Sequence, residues 1–211
     1  MLNTDSIKLR LINQSLDRNN SKILIFQRNV EPNFQERPVA WRVIENLGYD
    51  WIHPFDYPHQ LQVSTSDCDG NSSGLMESGP GMCWSAVRTD SGNQLQYVGP
   101  SSGSVPELQV RNGLPLGSVD ANVYRDGRLL ATRTCITPGQ MAVFRFNPIL
   151  SFCVVSQVTE GASLDSAILS RVNSELNLSG IVSADIVMTG GGSSRLATPL
   201  RFTLQNIRSW R

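Results

Sequence analysis

The sequence predicts an all-β protein of mainly antiparallel strands, arranged as one β-sandwich over residues 1–211. Apolar and polar residues alternate with a period of two in most segments, as in strands that bury one face. The predicted strands recur about every ten residues with no helices between most of them, which is typical of antiparallel sandwiches. Turn sequences separate the strands, and the sharpest, Asp126-Gly127, accepts the positive φ angles of a two-residue hairpin.

Each predicted element follows from its own pattern. Alternation predicts strands at 7–11, 39–43, 61–63, 108–110, 119–123 and 202–204, and turn sequences bound further predicted strands at 84–88, 94–98, 128–131 and 141–146. The short apolar runs at 23–26 and 152–155 predict strands that are buried on both faces. Residues 163–178 instead place apolar side chains at helical spacing, so we expect at most one short helix there. Leu176 and Leu178 also fit a strand, and this alternative stays open.

A pattern of two apolar residues followed by an asparagine recurs at 9–13, 108–112 and 202–206. The first two occurrences each precede another predicted strand by about ten residues, which is a weak sign of an internal repeat. The alternative to a single domain is therefore a pair of similar β subdomains, 1–100 and 101–211.

The charges of the chain argue against several classes of partner. It has 18 basic and 18 acidic residues and no net charge. Nucleic-acid binding needs clustered cations, so we expect no nucleic-acid partner. Molecules without net charge do not repel one another at long range, which favours self-association.

No stretch has the ~20 apolar residues of a membrane helix, and the first residues do not form a signal peptide. We therefore expect a cytoplasmic protein, with leaderless export left open.

The four cysteines do not have the spacing of a structural zinc site, because no CxxC pair occurs among Cys68, Cys83, Cys135 and Cys153. Cys135 and Cys153 lie within apolar runs, so we expect both to be buried small hydrophobic residues. Cys68 and Cys83 flank a Gly/Ser-rich loop and could pair if oxidised, but a cytoplasmic location favours reduced thiols.

The segment from 49 to 59 is the most distinctive part of the sequence. Every odd position carries a ring: Tyr49, Trp51, His53, Phe55, Tyr57 and His59. In an extended chain these rings would share one face and could bind a carbohydrate, with Asp50 or Asp56 holding its hydroxyls. The alternative is that the rings fill the core. Pro54 and Pro58 lack a donor N–H and restrict the segment to an edge strand or a polyproline-like conformation.

Asp67, Asp69 and Asn71 resemble part of a calcium-binding loop. In the register of that loop, Met76 occupies the position of the bidentate glutamate, and no flanking helices are predicted. An ordinary Asp-Gly-Asn turn is the favoured interpretation, so we predict no metal site, and no cofactor motif is present.

No nucleophile motif of the GxSxG type occurs. We therefore expect a non-catalytic binding or assembly protein that forms a homo-oligomer. The first alternative is a lectin-like carbohydrate-binding module that uses the 49–59 segment. The second alternative is a hydrolase of unknown substrate that uses His59, Asp56 and a serine brought close by the fold.

Overall fold

The computed structural model describes residues 6–17, 21–31, 36–102, 107–192 and 197–210. Strands make up 61% of the described residues and helix 2%, which confirms the all-β prediction. The strands are β1 (Ser6–Asn13), β2 (Lys22–Phe26), β3 (Glu36–Pro38), β4 (Arg42–Ile44), β5 (Ile52–Pro58), β6 (Leu61–Asp67), β7 (Met76–Ser78), β8 (Met82–Thr89), β9 (Gly92–Pro100), β10 (Leu108–Asn112), β11 (Val119–Arg125), β12 (Arg128–Ile136), β13 (Met141–Phe144), β14 (Ile149–Val155), β15 (Ser174–Asn177), β16 (Ile181–Gly191) and β17 (Thr198–Ser209). The single helix of the described residues is α1 (Ser166–Leu169).

The chain forms two compact units, and each takes strands from both sides of residue 100. Unit 1 is built from the described residues of Met1–Arg28, Val39–His59 and Pro148–Arg211. Unit 2 is built from those of Asn29–Pro38 and Gln60–Asn147. The two ends of the chain therefore fold together, because β1 pairs with β16.

Unit 1 consists of two four-stranded sheets. Sheet A has the order β17-β16-β1-β5, in which β1 and β16 are parallel and the other pairs are antiparallel. Sheet B has the order β15-β14-β2-β4 and is antiparallel throughout. The Phe152 ring of sheet B lies 5.0 Å from the Phe202 ring of sheet A, centroid to centroid. The two sheets thus face each other across an aromatic core, as in a sandwich.

The apolar run at 23–26 is buried on both faces, as predicted, because sheet B is covered on both sides. Leu24 and Phe26 point away from sheet A into a second cluster, which also contains Ala40, Cys153 and Leu164. Residues of α1 pack against this cluster. The side chains of this strand therefore enter two different apolar layers.

The helical spacing at 163–178 produces a single turn of helix. In α1, the Asp165 side chain caps the helix by accepting a hydrogen bond from the Ile168 N–H at 2.8 Å. The chain then extends into β15, which pairs with β14 and buries Leu176. Both interpretations of this segment are correct in part, the helix at its start and the strand at its end.

Unit 2 also consists of two sheets. Sheet C has the order β9-β8-β10-β13, in which β8 and β10 are parallel. Sheet D has the order β3-β12-β11-β6-β7 and is antiparallel. In β11 every second side chain is buried, as the alternation predicts. The hairpin from β11 to β12 turns at Asp126 and Gly127, with φ angles of 55° and 68°, which confirms the predicted turn.

Within the described ranges, no helix has the length and apolar character needed to cross a membrane.

Candidate functional site

Two of the rings predicted to form a binding platform belong to the core instead. Phe55 and Tyr57 on β5 are buried and contact Trp41 edge to face, with ring centroids 6.4 and 6.0 Å apart. The Tyr57 hydroxyl accepts a hydrogen bond from the Gln27 side chain at 3.0 Å. Rings that are buried in this way cannot stack on a ligand, so Phe55 and Tyr57 stabilise unit 1.

Tyr49 and Trp51 lie in the turn before β5, and about three-fifths of each side chain is exposed (61% and 64%). The turn is held by hydrogen bonds from the Trp51 N–H to the Gly48 carbonyl (3.1 Å) and from the Asp50 N–H to the Asn13 carbonyl (2.6 Å). A Cβ atom on Gly48 would lie 3.3 Å from the Trp51 ring, so this ring lies against the bare backbone of the glycine. The exposed aromatic surface therefore reduces to two rings on one turn.

A small polar cavity of about 110 Å³ opens beside Tyr49. Asn13, Asp17 and Ser21 supply polar groups to its lining, and Leu47 and Met188 supply apolar surface. Asp17 accepts a hydrogen bond from the Ser21 N–H at 3.2 Å. An aromatic ring next to carboxylate and hydroxyl groups is a combination that can bind a sugar.

The remaining residues of the segment have separate partners. His53 is half-buried, and Asp56 forms an ion pair with Lys8 at 2.5 Å. His59 is exposed, and its ring lies edge-on to the Tyr57 ring at 6.3 Å. The contacts of Asp56 and His59 thus hold them to different neighbours.

The sequence that resembles a calcium-binding loop forms a turn in which the Asp67 carboxylate accepts hydrogen bonds from within the turn. Its Oδ1 atom accepts hydrogen bonds from the Asp69 N–H at 3.0 Å and the Asn71 N–H at 2.9 Å. The Asn71 side-chain amide also bonds to this carboxylate and lowers the pKa of Asp67 below its usual value. Among the described residues, no group of three or more histidine, cysteine or acidic side chains could hold a metal ion.

All four cysteines have free thiols. Cys153 is buried, as predicted, and burial raises the pKa of its thiol. Burial also raises the pKa of the partly buried Cys83 thiol. The prediction that Cys135 is buried is wrong: it is exposed at the end of β12, where its φ angle is +56° and its N–H donates to Asp120. This irregular backbone turns the side chain out of the apolar alternation.

The open sheet edges are a second kind of candidate site, because an edge strand presents unpaired N–H and C=O groups. In the described chain, sheets B and D end in strands of three or four residues, and so does sheet C at β13. The long edge strands are β5, β9 and β17. These three differ in how their edges are protected.

Two of the long edges carry features that prevent pairing. In β5, Pro54 and Pro58 have no N–H to donate, which confirms the edge position expected from the sequence. In β17, the Leu200 carbonyl accepts from the Asn173 side chain at 3.0 Å, and the Phe202 N–H donates to the Ser174 hydroxyl at 2.9 Å. Proline and side-chain bonds thus occupy positions that a further strand would need.

Strand β9 has neither protection along most of its length. Its nine residues include no charged side chain, and its only proline is the last residue, Pro100. Tyr97 and Val98 are about half exposed, at 52% and 56%. Leu95 is buried and holds the strand to the core, while a bulge interrupts the pairing with β8 between Tyr97 and Gly99. In the sequence this segment is a long uncharged strand beside a turn. Central strands can have the same pattern, so the edge position became visible only in the structure.

Comparisons of the chain with protein-family models, with curated proteins and with solved structures gave no match.

Proposed function

We propose that this chain is a non-catalytic assembly protein that joins copies of itself through β9. The observation that carries the proposal is that β9 is a long, uncharged edge strand which, among the described strands, pairs on one side only. Exposed edges of this kind accept a further strand through backbone hydrogen bonds. The expected product is a homo-oligomer.

The occupant that best fits this edge is β9 of a second copy. A two-fold axis brings the same strand of each copy together in antiparallel orientation. Because β9 is uncharged, self-pairing places no like charges opposite each other, which would otherwise destabilise the pair. The chain also has no net charge, so no long-range repulsion opposes the encounter.

The pairing that we propose is weak and depends on concentration. One strand pair buries less surface than the roughly 1,200 Å² at which stable interfaces begin. The four-stranded sheet C would continue across the contact into its copy, with Tyr97 and Val98 adding exposed apolar surface.

The test is to replace Val98 with Lys and to measure molecular mass against concentration by sedimentation velocity, with a reductant present to keep the thiols reduced. Lysine on an edge strand opposes pairing, so Val98→Lys should shift the mass to that of the monomer at concentrations where the unaltered chain associates. The matched control is Ile52→Lys, which places the same charge at a similarly exposed position, 52%, on the proline-bearing edge strand β5. The control should associate like the unaltered chain.

A monomeric mass for the unaltered chain at every concentration would exclude the proposal. So would equal association of Val98→Lys and the unaltered chain. We also propose a cytoplasmic location, because the four free thiols stay reduced in that compartment.

A second candidate function is carbohydrate binding at the turn before β5. Two exposed rings, Tyr49 and Trp51, and the polar cavity that Asp17 lines favour it. We expect Trp51→Ala to abolish any binding seen on a glycan array, because an aromatic face stacks on the apolar face of a sugar. Trp210→Ala is the control, since Trp210 is similarly exposed, at 51%, and follows β17, which lies at the opposite edge of sheet A from β5. An array without a bound glycan, or equal binding by both variants, would rule this function out.

A further inference from the structure

The two sheets of unit 1 have the same strand arrangement as the two sheets of unit 2. In sheet A, β17 and β16 form an antiparallel hairpin, β16 is parallel to β1, and β1 is antiparallel to β5. In sheet C, β9, β8, β10 and β13 repeat this sequence of orientations. The order of sheet B, β15-β14-β2-β4, matches β7-β6-β11-β12 of sheet D, to which β3 is added.

The matching strands occur in a different chain order in the two units. A first half consists of β1, β2, β4 and β5 in unit 1 and of β10 to β13 in unit 2. A second half consists of β14 to β17 in unit 1 and of β6 to β9 in unit 2. Along the chain the halves alternate as first, second, first, second. Each unit therefore combines a first half and a second half from opposite sides of residue 100.

Two buried asparagines show that the correspondence extends to single hydrogen bonds. Asn13 ends β1, and its Oδ1 atom accepts a bond from the Ser15 N–H at 2.9 Å. Asn112 ends β10, and its Oδ1 atom accepts from the Leu114 N–H at 3.0 Å. These asparagines are the ones in the first two occurrences of the sequence pattern at 9–13 and 108–112.

The same asparagines bond to equivalent points of the next connection. The Asn13 amide donates to the Leu47 carbonyl before β5, and the Asn112 amide donates to the Ile136 carbonyl before β13. The residue before each carbonyl has a left-handed φ angle of 56°, in Asn46 and in Cys135. The unusual exposure of Cys135 is thus part of a backbone feature that occurs in both first halves.

We infer that the chain contains two repeats, one on each side of residue 100, and that these repeats have exchanged their second halves within the chain. Two separate copies of the chain exchange the same halves with each other. The partner is a second copy, and the surface is the seam at which a first half meets a second half. This inference is independent of β9 and goes beyond the assembly proposed above.

The seam is suited to exchange because neither half is complete without the other. In unit 1, β1 pairs with β16 and β2 pairs with β14, so a first half alone leaves one edge of β1 and one edge of β2 without a partner. All side chains from Ile23 to Phe26 are buried, and this surface must be covered. The second half of another copy offers the same strands and the same contacts. Only His59 and Gln60 connect β5 to β6, and short connections of this kind favour exchange.

The test uses full-length chains that carry either a donor or an acceptor fluorophore, all with Val98→Lys to remove pairing through β9. Both chains are unfolded in denaturant, mixed and refolded over a range of concentrations under reducing conditions. We expect refolding at high concentration to produce a species of doubled mass that shows energy transfer. This species should persist after dilution, because separation requires unfolding. The chain with Val98 is refolded in parallel, in case the variant folds poorly.

The control mixes the two labelled chains after each has refolded alone at low concentration, and this sample should show no energy transfer. Exchange between copies is contradicted if no persistent mixed species forms at any refolding concentration, or if the control contains as much of it. Association that disappears on dilution and is seen only with Val98 would instead support pairing through β9 and contradict the exchange. The two proposals can therefore fail separately.

Discussion

Asp185 illustrates how one buried residue links distant parts of the sequence. It lies on β16 opposite Arg10 of β1, and the two side chains form a bidentate pair with N···O distances of 2.6 and 2.8 Å. The Asn206 amide of β17 donates to the same carboxylate at 2.6 Å. The hydrogen bond from Arg10, more than any other contact, lowers the pKa of Asp185 below its ordinary value. Three strands of sheet A are thus joined at one carboxylate.

We expect Asp185→Asn to lower the free energy of unfolding by about 2 kcal/mol at neutral pH, the range for a hydrogen bond to a charged group. A carboxyl whose pKa is lower in the folded chain stabilises the fold above its unfolded pKa of about 4. That contribution is lost as the pH falls through the lower folded pKa. The difference between the unaltered chain and the variant should therefore shrink below about pH 4, as measured by urea unfolding at several pH values.

The control for this measurement is Asp56→Asn, which removes an exposed ion pair with Lys8. Exposed pairs contribute about 0–1 kcal/mol, so this variant should change little. A loss for Asp185→Asn that stays constant down to acid pH would show that the charge of Asp185 does not stabilise sheet A.

The rings at 49–59 show the limit of predicting from alternation which side chains share a face. Alternation holds in β5, where Phe55 and Tyr57 share the buried face. It does not extend back to Tyr49 and Trp51, because Asp50 has a φ angle of 58° and turns the chain just before the strand begins. A period of two says which residues share a face only while the backbone stays extended, and the sequence does not mark where that ends.

At the scale of elements, proline protects the long edge strand β5 from pairing with a further strand. Pro54 lies in the middle of β5, which pairs with β1 alone. Replacing it with Val supplies an N–H and a residue that favours strands. If β9 mediates assembly because its edge is open, opening β5 should create a second contact.

We therefore expect Pro54→Val to raise the sedimentation mass above that of the unaltered chain at equal concentration. The combination with Val98→Lys separates the two edges, since association that remains in the double variant must use another edge than β9. A mass equal to that of the unaltered chain would mean that Pro54 does not protect this edge.

The segment at 163–178 is an element whose type depends on its neighbours. Leu164 and Ile168 belong to the cluster beneath sheet B, and their spacing suits the single turn of α1. From Ser174 the chain pairs with β14, and the backbone hydrogen bonds of that pairing replace those of a longer helix. Local propensity is weak enough for sheet pairing to override it.

At the scale of the whole molecule, the alternating order of the halves makes the two ends of the sequence depend on each other. β1 is an interior strand of sheet A only because β16, more than 160 residues later in the sequence, pairs with it. The same arrangement gives every chain two first halves and two second halves. The assembly proposed through an open edge and the proposed exchange of halves both follow from this one strand order.

The sequence by itself determined most of the strands, the hairpin at Asp126-Gly127 and the edge position of the segment with Pro54, because alternation, turn geometry and a missing N–H are local properties. The recurring pattern that ends in Asn13 and Asn112 was also visible in it. Only the tertiary structure decided which strands pair, since partners such as β1 and β16 are set by non-local hydrogen bonds and by burial. For the same reason, only the tertiary structure distinguished the buried rings from the exposed ones and left β9 as an open edge.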